Sequence, residues 1–102
     1  MFPLDQLLSR VASATAGLQH ANGQVTPVPT ERILRWYQTR GLLDPPLAYR
    51  GRTALYGPRH VAQAVAIKRL QAEGRALGEI AQVLAGCTDA DLLTLSGIDP
   101  AA

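Results

Sequence analysis

The sequence lacks the features that mark secreted and membrane proteins. Its 102 residues include one cysteine, Cys87, so no internal disulfide framework can form and a reducing compartment is favoured. No apolar run approaches the roughly 20 residues that span a bilayer. The N-terminus also lacks the basic region and the long apolar stretch of a signal peptide. We therefore expect a cytoplasmic protein with no membrane association, in which Cys87 is a small residue near a helix end.

Residues typical of enzymes and metal sites are also scarce. No Ser/His/Asp or Cys/His set is indicated, and no glycine-rich phosphate loop follows a strand. Of the two histidines, His20 and His60, the first has no cysteine or carboxylate at ligand spacing, so we expect it on the surface. The hydrophobic fraction of 47% suits a modest core rather than a large enzyme cleft. The sequence thus predicts a non-catalytic protein with no cofactor, no metal ion and no small-molecule site.

Positive charge is absent from the end of the chain and concentrated in its middle. From Ala76 onward there are four acidic residues and no Lys or Arg. Residues 30–75 carry nine basic residues against three acids, a local charge of +6 in a chain whose net charge is only +2. This distribution favours a surface in the middle region that binds a polyanion.

Residues 30–46 predict a short basic helix with a defined start and stop. Thr30 is a good N-cap, and Glu31 complements the positive end of the helix dipole. Gly41 supplies the left-handed position after the helix, and the prolines at 45 and 46 prevent it from continuing.

The two faces of this helix follow from a rotation of 100° per residue. The inward face is predicted to hold Thr30, Ile33, Leu34, Tyr37 and Gly41. The outward face is predicted to hold Arg32, Arg35, Trp36 and Thr39. Guanidinium, indole and hydroxyl groups are the donors that phosphates and base edges accept from, so this face could read DNA. The alternative is a solvated face of a small helical domain.

The remaining elements follow from apolar spacing and from glycine and proline. Apolar residues at helical spacing predict a first helix over about 4–18, and two prolines predict a loop over 20–29. A Tyr- and Arg-rich segment centred on Gly51 suits a hairpin with strands near 47–50 and 52–56, which would present Arg50 and Arg52 at its tip. A simple loop is the alternative.

Three further helices complete the prediction. Pro58 opens a helix that Gly74 ends, over about 58–73. Its buried side is predicted to be Val61, Ala64, Val65, Ile67 and Leu70. A helix over 77–85 follows and ends at Gly86, and a last turn or two, capped by Thr88 or Asp89, reaches Leu95. Residues 98–102 are expected to fray.

In this order the segments resemble the DNA-binding domain of MerR-type transcription regulators. The resemblance rests on the segment from Arg32 to Gln38, then on the Gly-Leu-Leu-Asp-Pro-Pro run that begins at Gly41. The hairpin ending Leu55-Tyr56 and the two helices up to residue 85 complete it, so it covers about residues 28–85. Two features depart from the family pattern. About ten residues, 20–29, replace a tight turn, and Ala54 stands where the wing usually has a basic residue.

The resemblance implies a mainly α winged helix-turn-helix of four to five helices with a two-stranded wing. It implies one domain over 1–102, with a core at 28–86, a long first helix and loop at 1–27, and a short helical tail at 87–102. By position, the implied contacts with double-stranded DNA are Arg32, Arg35, Trp36 and Tyr37 from the helix and Arg50 and Arg52 from the wing. The face calculation adds Thr39 but turns Tyr37 inward.

The resemblance also raises the question of assembly. One such domain contacts only half of a DNA site, so specificity calls for a homodimer or for adjacent protomers on DNA. The first helix and the acidic, leucine-bearing segment 89–95 are candidates for that contact, and burial within one protomer is the alternative. A competing hypothesis for the whole chain is a protein-interaction module that keeps the winged-helix scaffold without binding DNA.

Overall fold

A computed structural model describes residues 1–16 and 30–97. In chain order the elements are β1 (Phe2–Pro3), α1 (Leu4–Ala14), α2 (Glu31–Thr39), β2 (Ala48–Arg50), β3 (Thr53–Tyr56), α3 (Pro58–Ala72), α4 (Leu77–Ala85) and α5 (Asp89–Ser96). These five helices and the small sheet confirm the predicted mainly α winged helix-turn-helix. The predicted loop at 20–29, with His20, and the predicted frayed tail lie outside the described residues.

The predicted helix over 4–18 is shorter in the structure. It ends at Ala14, and Thr15 follows with φ −104° and ψ 5°, outside helical geometry. The Thr15 hydroxyl donates to the Val11 carbonyl at 2.8 Å, and the Thr15 backbone N–H donates to the same oxygen. Apolar spacing alone overstated the length because it carries no signal for the change of backbone conformation at Thr15.

The wing belongs to a sheet of three antiparallel strands rather than two. The strand order is β1-β3-β2, with Phe2 opposite Tyr56 on one side of β3 and Ala48 opposite Leu55 on the other. A two-residue strand that contains a proline shows no alternating pattern, so β1 could not be predicted from the sequence. Its pairing joins the N-terminus to the wing.

Helix α3 lies at the centre of the fold and is buried almost all round. The predicted buried residues Ala64, Val65, Ile67 and Leu70 are buried, whereas Val61 is half-buried. Helices α1, α4 and α5 all pack against α3, so the side of α3 opposite its predicted buried residues is covered as well. That is why polar residues of α3, including His60 and Lys68, also lie in the interior.

The two segments considered for contact between protomers pack within this one. Leu7 and Val11 of α1 are fully buried in the core, and Leu92 of α5 is 1% exposed. Helix α5 is held at its start by Thr88, whose hydroxyl accepts from the Asp91 backbone N–H at 3.2 Å. The apolar sides of both helices therefore contribute to the fold of a single chain.

Lys68 was counted on the basic surface, but it lies inside the protein. Lys68 is 8% exposed, and its ammonium lies 5.8 Å from the centroid of the Tyr37 ring. No carboxylate of the described residues forms an ion pair with it. Desolvation by burial lowers the pKa of Lys68 below its ordinary value. The charged form is therefore less favourable in the folded state than in the unfolded chain.

Lys68→Met should stabilise the protein at neutral pH by about 1 kcal/mol, the usual size of a single-substitution effect. Because the folded pKa is lowered, the unfolded wild-type chain binds more protons between that pKa and 10.5, so wild-type stability rises with pH there. The advantage of the variant should shrink accordingly. Denaturant unfolding at several pH values measures it, and an advantage unchanged between about pH 7 and pH 10 would exclude the charge as its source.

Candidate nucleic-acid interface

Helix α2 begins and ends where its sequence signals place it. The Ile33 backbone N–H donates to the Thr30 hydroxyl at 3.3 Å, which confirms the predicted N-cap. At the other end Gly41 has φ +75°, a left-handed conformation that favours glycine. The backbone N–H groups of Leu42 and Leu43 then donate to the Tyr37 carbonyl at 2.9 and 3.3 Å. This cap turns the chain so that both leucines enter the core.

The facing of α2 is confirmed at its centre and wrong at its edges. Leu34 and Tyr37 are buried, as predicted, but Ile33 is 36% exposed, and Thr30 and Gly41 at the two ends are exposed as well. Ile33 lies about 100° from Leu34 around the helix, at the limit of the inward arc, and the elements of the described residues leave more than a third of it exposed. The predicted outward residues Arg32, Arg35 and Thr39 are exposed, and Trp36 is 39% exposed.

Tyr37 is part of the core and not of the exposed face. It is 2% exposed, and its hydroxyl donates to Gln71 Oε1 of α3 at 3.3 Å. Burial raises the pKa of Tyr37, and the hydrogen bond with Gln71 offsets this only in part. The contact with DNA that the resemblance implied for Tyr37 stays a prediction, and the structure does not favour it, because the ring is packed in the core and the hydroxyl is bonded to Gln71.

Several side chains on the exposed face of α2 are held by contacts within the helix and its C-cap. Arg35 Nη2 lies 2.5 Å from Glu31 Oε1, one turn away, and the Thr39 hydroxyl donates to the Arg35 carbonyl at 3.0 Å. The Arg40 guanidinium lies over the Trp36 ring, 5.0 Å from its centroid. Arg40 was not among the predicted contacts. Its spacing of four from Trp36 is the signal that could have placed both on one stripe.

The wing presents both of its predicted arginines to solvent. Gly51 adopts φ +62° at the turn, with Arg50 before it and Arg52 after it, and both arginines are exposed. Tyr49, on β2, is 65% exposed although it is a large aromatic residue. Successive strand residues point to opposite faces, so Tyr49 and Arg50 lie on different faces of the hairpin. Tyr49 is a second exposed residue of this region that the sequence analysis did not single out.

A cleft of about 650 Å³ lies between α2 and the wing, and β1 and the first half of α1 line it as well. Arg35 and Thr39 line it from α2, and Tyr49 and Arg52 line it from the wing. Two carboxylate residues, Asp5 and Glu31, also line this cleft. Of the predicted contact residues, Arg35, Thr39 and Arg52 thus meet at one opening, whose charged groups are of both signs, whereas Arg32, Trp36, Tyr37 and Arg50 do not line it.

His60 fixes the wing relative to the segment that leaves α2. Its Nδ1 accepts from the Gly57 backbone N–H at 3.1 Å, and its Nε2 lies 2.8 Å from the Pro45 carbonyl, to which it donates. This arrangement requires the neutral ring, protonated at Nε2. The ring also meets Tyr56 edge-on, with centroids 5.1 Å apart. An isolated histidine in a helical pattern gave no sequence signal for this role.

Arg59, one of the basic residues of segment 30–75, is paired with two carboxylates. Arg59 Nε lies 2.8 Å from Asp44 Oδ2, and Arg59 Nη1 pairs with Asp89 Oδ1 of α5. Partial burial raises the pKa of Asp44, but hydrogen bonding with Gln63 and Arg59 and the Arg59 charge outweigh it, so that pKa is lowered overall. Since Lys68 is buried as well, five of the eight exposed arginines lie on α2, its C-cap and the wing, and the other three are Arg10, Arg69 and Arg75.

Metal-binding and membrane-spanning features do not emerge from the part of the chain that the structure describes. Within residues 1–16 and 30–97 no three His, Cys, Asp or Glu side chains form a group able to hold a metal ion. None of the described helices has the length and apolar character needed to cross a bilayer. Cys87 is half-buried near the end of α4, and its thiol donates to the Val83 carbonyl at 3.0 Å.

A short capped helix, a following hairpin wing and a central supporting helix define a winged helix-turn-helix protein. A family model described as MerR HTH family regulatory protein matches residues 28–87, more than half of the chain. The chain belongs to this family and carries the domain of a DNA-binding transcription regulator. No curated protein and no solved structure matched the chain. The match begins after α1, so β1 and α1, which pack into the same fold, lie outside it.

Proposed function

We propose that this protein binds double-stranded DNA by placing α2 in the major groove and the wing on the flanking backbone. The observation that carries the proposal is that exposed side chains of α2, Arg35 and Thr39, and of the wing, Tyr49 and Arg52, line one cleft. A helix of this size fits the major groove, and helix-turn-helix proteins use their second helix in this way.

The exposed side chains divide into two roles. Arg35 and Arg52 line the cleft, and Arg35 lies one turn from Thr39 on the face that would approach base edges. The wing side chains, Arg52 included, and the other exposed residues of α2 would hold the phosphate backbone through guanidinium, indole or hydroxyl donors. The proposed contacts are Arg32, Arg35, Trp36, Thr39, Arg40, Tyr49, Arg50 and Arg52, and Tyr37 is left out because it is buried.

Specific regulation would require more than one copy on DNA. A domain of this size covers half of a typical site, so we propose a homodimer or adjacent protomers on the duplex. The apolar sides of α1 and α5 are already packed against α3, so they are not free to form that contact without rearrangement. Analytical ultracentrifugation of the protein with and without a bound duplex would determine the stoichiometry.

DNA affinity should fall steeply with salt. The proposed contacts include five arginines, and Glu31 and Asp5 lie beside them in the cleft, which gives a net charge of +3. If about five phosphates are neutralised, the logarithm of the association constant should fall with the logarithm of salt at a slope of about −4 to −5. Fluorescence anisotropy on a labelled duplex of mixed sequence, from about 50 to 200 mM salt, measures this slope. Absence of binding at about 50 mM salt would reject the proposed function.

A second candidate function is recognition of a protein partner through the same helix. The observation in its favour is that Ile33 and Trp36, one turn apart on α2, are both more than a third exposed. Apolar and aromatic groups of this kind also occur at protein interfaces. DNA is favoured because arginines surround this pair on α2, and the anisotropy experiment decides between the two functions.

A further inference from the structure

Glu31 is the only acidic residue of α2, and it lies on the face that carries the proposed DNA contacts. Its Oε1 is 2.5 Å from Arg35 Nη2, and the two side chains are 52% and 70% exposed. An exposed pair of this kind contributes little to folding. A carboxylate in the first turn also complements the helix dipole, but it opposes the approach of phosphate oxygens, so general DNA affinity does not account for its place on this face.

The ion pair does restrict the Arg35 side chain. A free arginine on a helix surface samples many rotamers, whereas Arg35 is held by a partner four residues earlier on the same helix. The pair uses Nη2, and a guanidinium carries five N–H donors in a rigid plane. Glu31 and Arg35 both line the cleft between α2 and the wing. A donor group and an acceptor group are therefore presented side by side at this opening.

This combination is complementary to one kind of base pair. In the major groove guanine offers two acceptors, O6 and N7, and the cytosine paired with it offers the N4 amino donor. Arginine matches the guanine acceptors, and a carboxylate matches the cytosine amino group. Adenine presents an amino donor beside N7 and lacks the pair of acceptors that a guanidinium requires.

Resting on the proposed function, we propose that the Glu31–Arg35 pair reads a single G·C base pair and that Glu31 is a specificity-determining residue. Arg35 binds the guanine edge, and Glu31 accepts from the cytosine amino group while keeping Arg35 away from phosphates. Glu31 thus lowers affinity for DNA in general and raises the preference for one base pair. Without the carboxylate, Arg35 is free to contact the backbone, and discrimination at that position is lost.

Selection from duplexes with a randomised centre tests this assignment. Wild-type protein and Glu31→Gln are each incubated with the pool at low salt, and the bound fraction is sequenced. Wild type should enrich a motif that includes an invariant G·C pair, and Glu31→Gln should lose the preference at that pair while retaining the others. On the selected site, replacing the G·C pair by A·T should weaken wild-type binding about 10-fold or more and should change variant binding much less.

Glu79→Gln is the matched control, because it removes the same charge from an exposed residue in the first turn of α4. It should leave the selected motif unchanged. For Glu31→Gln, affinity for mixed-sequence DNA should stay the same or rise. An identical motif for wild type and Glu31→Gln would overturn the assignment, as would an equal fall in affinity for every sequence. If wild type binds no duplex at all, the proposed function itself fails, which is a distinct result.

Discussion

Arg35→Ala and Arg52→Ala should each weaken DNA binding by about 10-fold to 100-fold at low salt and leave thermal stability nearly unchanged. Both side chains are exposed and line the cleft between α2 and the wing. Loss of a good arginine contact to DNA costs about 1–3 kcal/mol. In the free protein Arg35 loses only its exposed pair with Glu31, which is worth about 0.5 kcal/mol or less. Anisotropy titrations and thermal melts provide the two measurements.

Arg75→Ala is the control for net charge. Arg75 is exposed between α3 and α4, where its Nε lies 3.5 Å from Glu73 Oε2. The substitution therefore removes one positive charge from a residue that neither lines the cleft nor belongs to the proposed contacts. Its effect on affinity should be clearly smaller than that of either cleft arginine. Equal losses for all three variants would mean that charge alone, and not the placement of these side chains, governs binding. A collapse of the fold in Arg35→Ala would contradict the observed exposure of that residue.

Leu34→Ala should lower the free energy of unfolding by about 3 kcal/mol. Leu34 is 1% exposed and belongs to the core cluster that joins α1, α2, α3 and α4. Its removal leaves a cavity beneath the proposed DNA-binding helix, and the surrounding side chains can collapse into it only in part. Denaturant unfolding followed by circular dichroism measures the change. Whatever fraction remains folded should still bind DNA, because Leu34 does not reach the surface.

Ile33→Ala is the internal comparison for that experiment. It lies next to Leu34 in sequence but is 36% exposed, so its truncation should cost less than about 1 kcal/mol. A cost for Ile33→Ala as large as that of Leu34→Ala would mean that the helix faces the core differently from the structure described here.

The elements with strong local signals were predictable from the sequence. Thr30 and Gly41 fix both ends of α2 through hydrogen bonds and backbone geometry that each residue type supplies by itself. The same holds for the turn at Gly51 and for the helix from Pro58, which ends one residue before its predicted bound. These features depend on interactions within a few residues, so a linear pattern contains them.

Features that depend on residues distant in sequence were not predictable in the same way. Strand β1 pairs with β3 more than fifty positions later, and the burial of Lys68 depends on helices that cover α3 from several sides. Ile33 shows the same limit, since its position at the edge of an arc does not say whether a neighbour covers it. The role of His60 required the approach of the Pro45 carbonyl, fifteen positions earlier.

The contacts of His60 also bear on how DNA would be held. One imidazole ties the residue that ends the wing, Gly57, to the segment that leaves α2, at Pro45. The distance between α2 and the wing is therefore restrained by the two hydrogen bonds of one imidazole ring, where other proteins use a metal ion or a disulfide. A duplex whose groove width does not match this distance would have to bend or narrow to fit. The stiffness of the DNA sequence would then influence binding even at base pairs that no side chain touches.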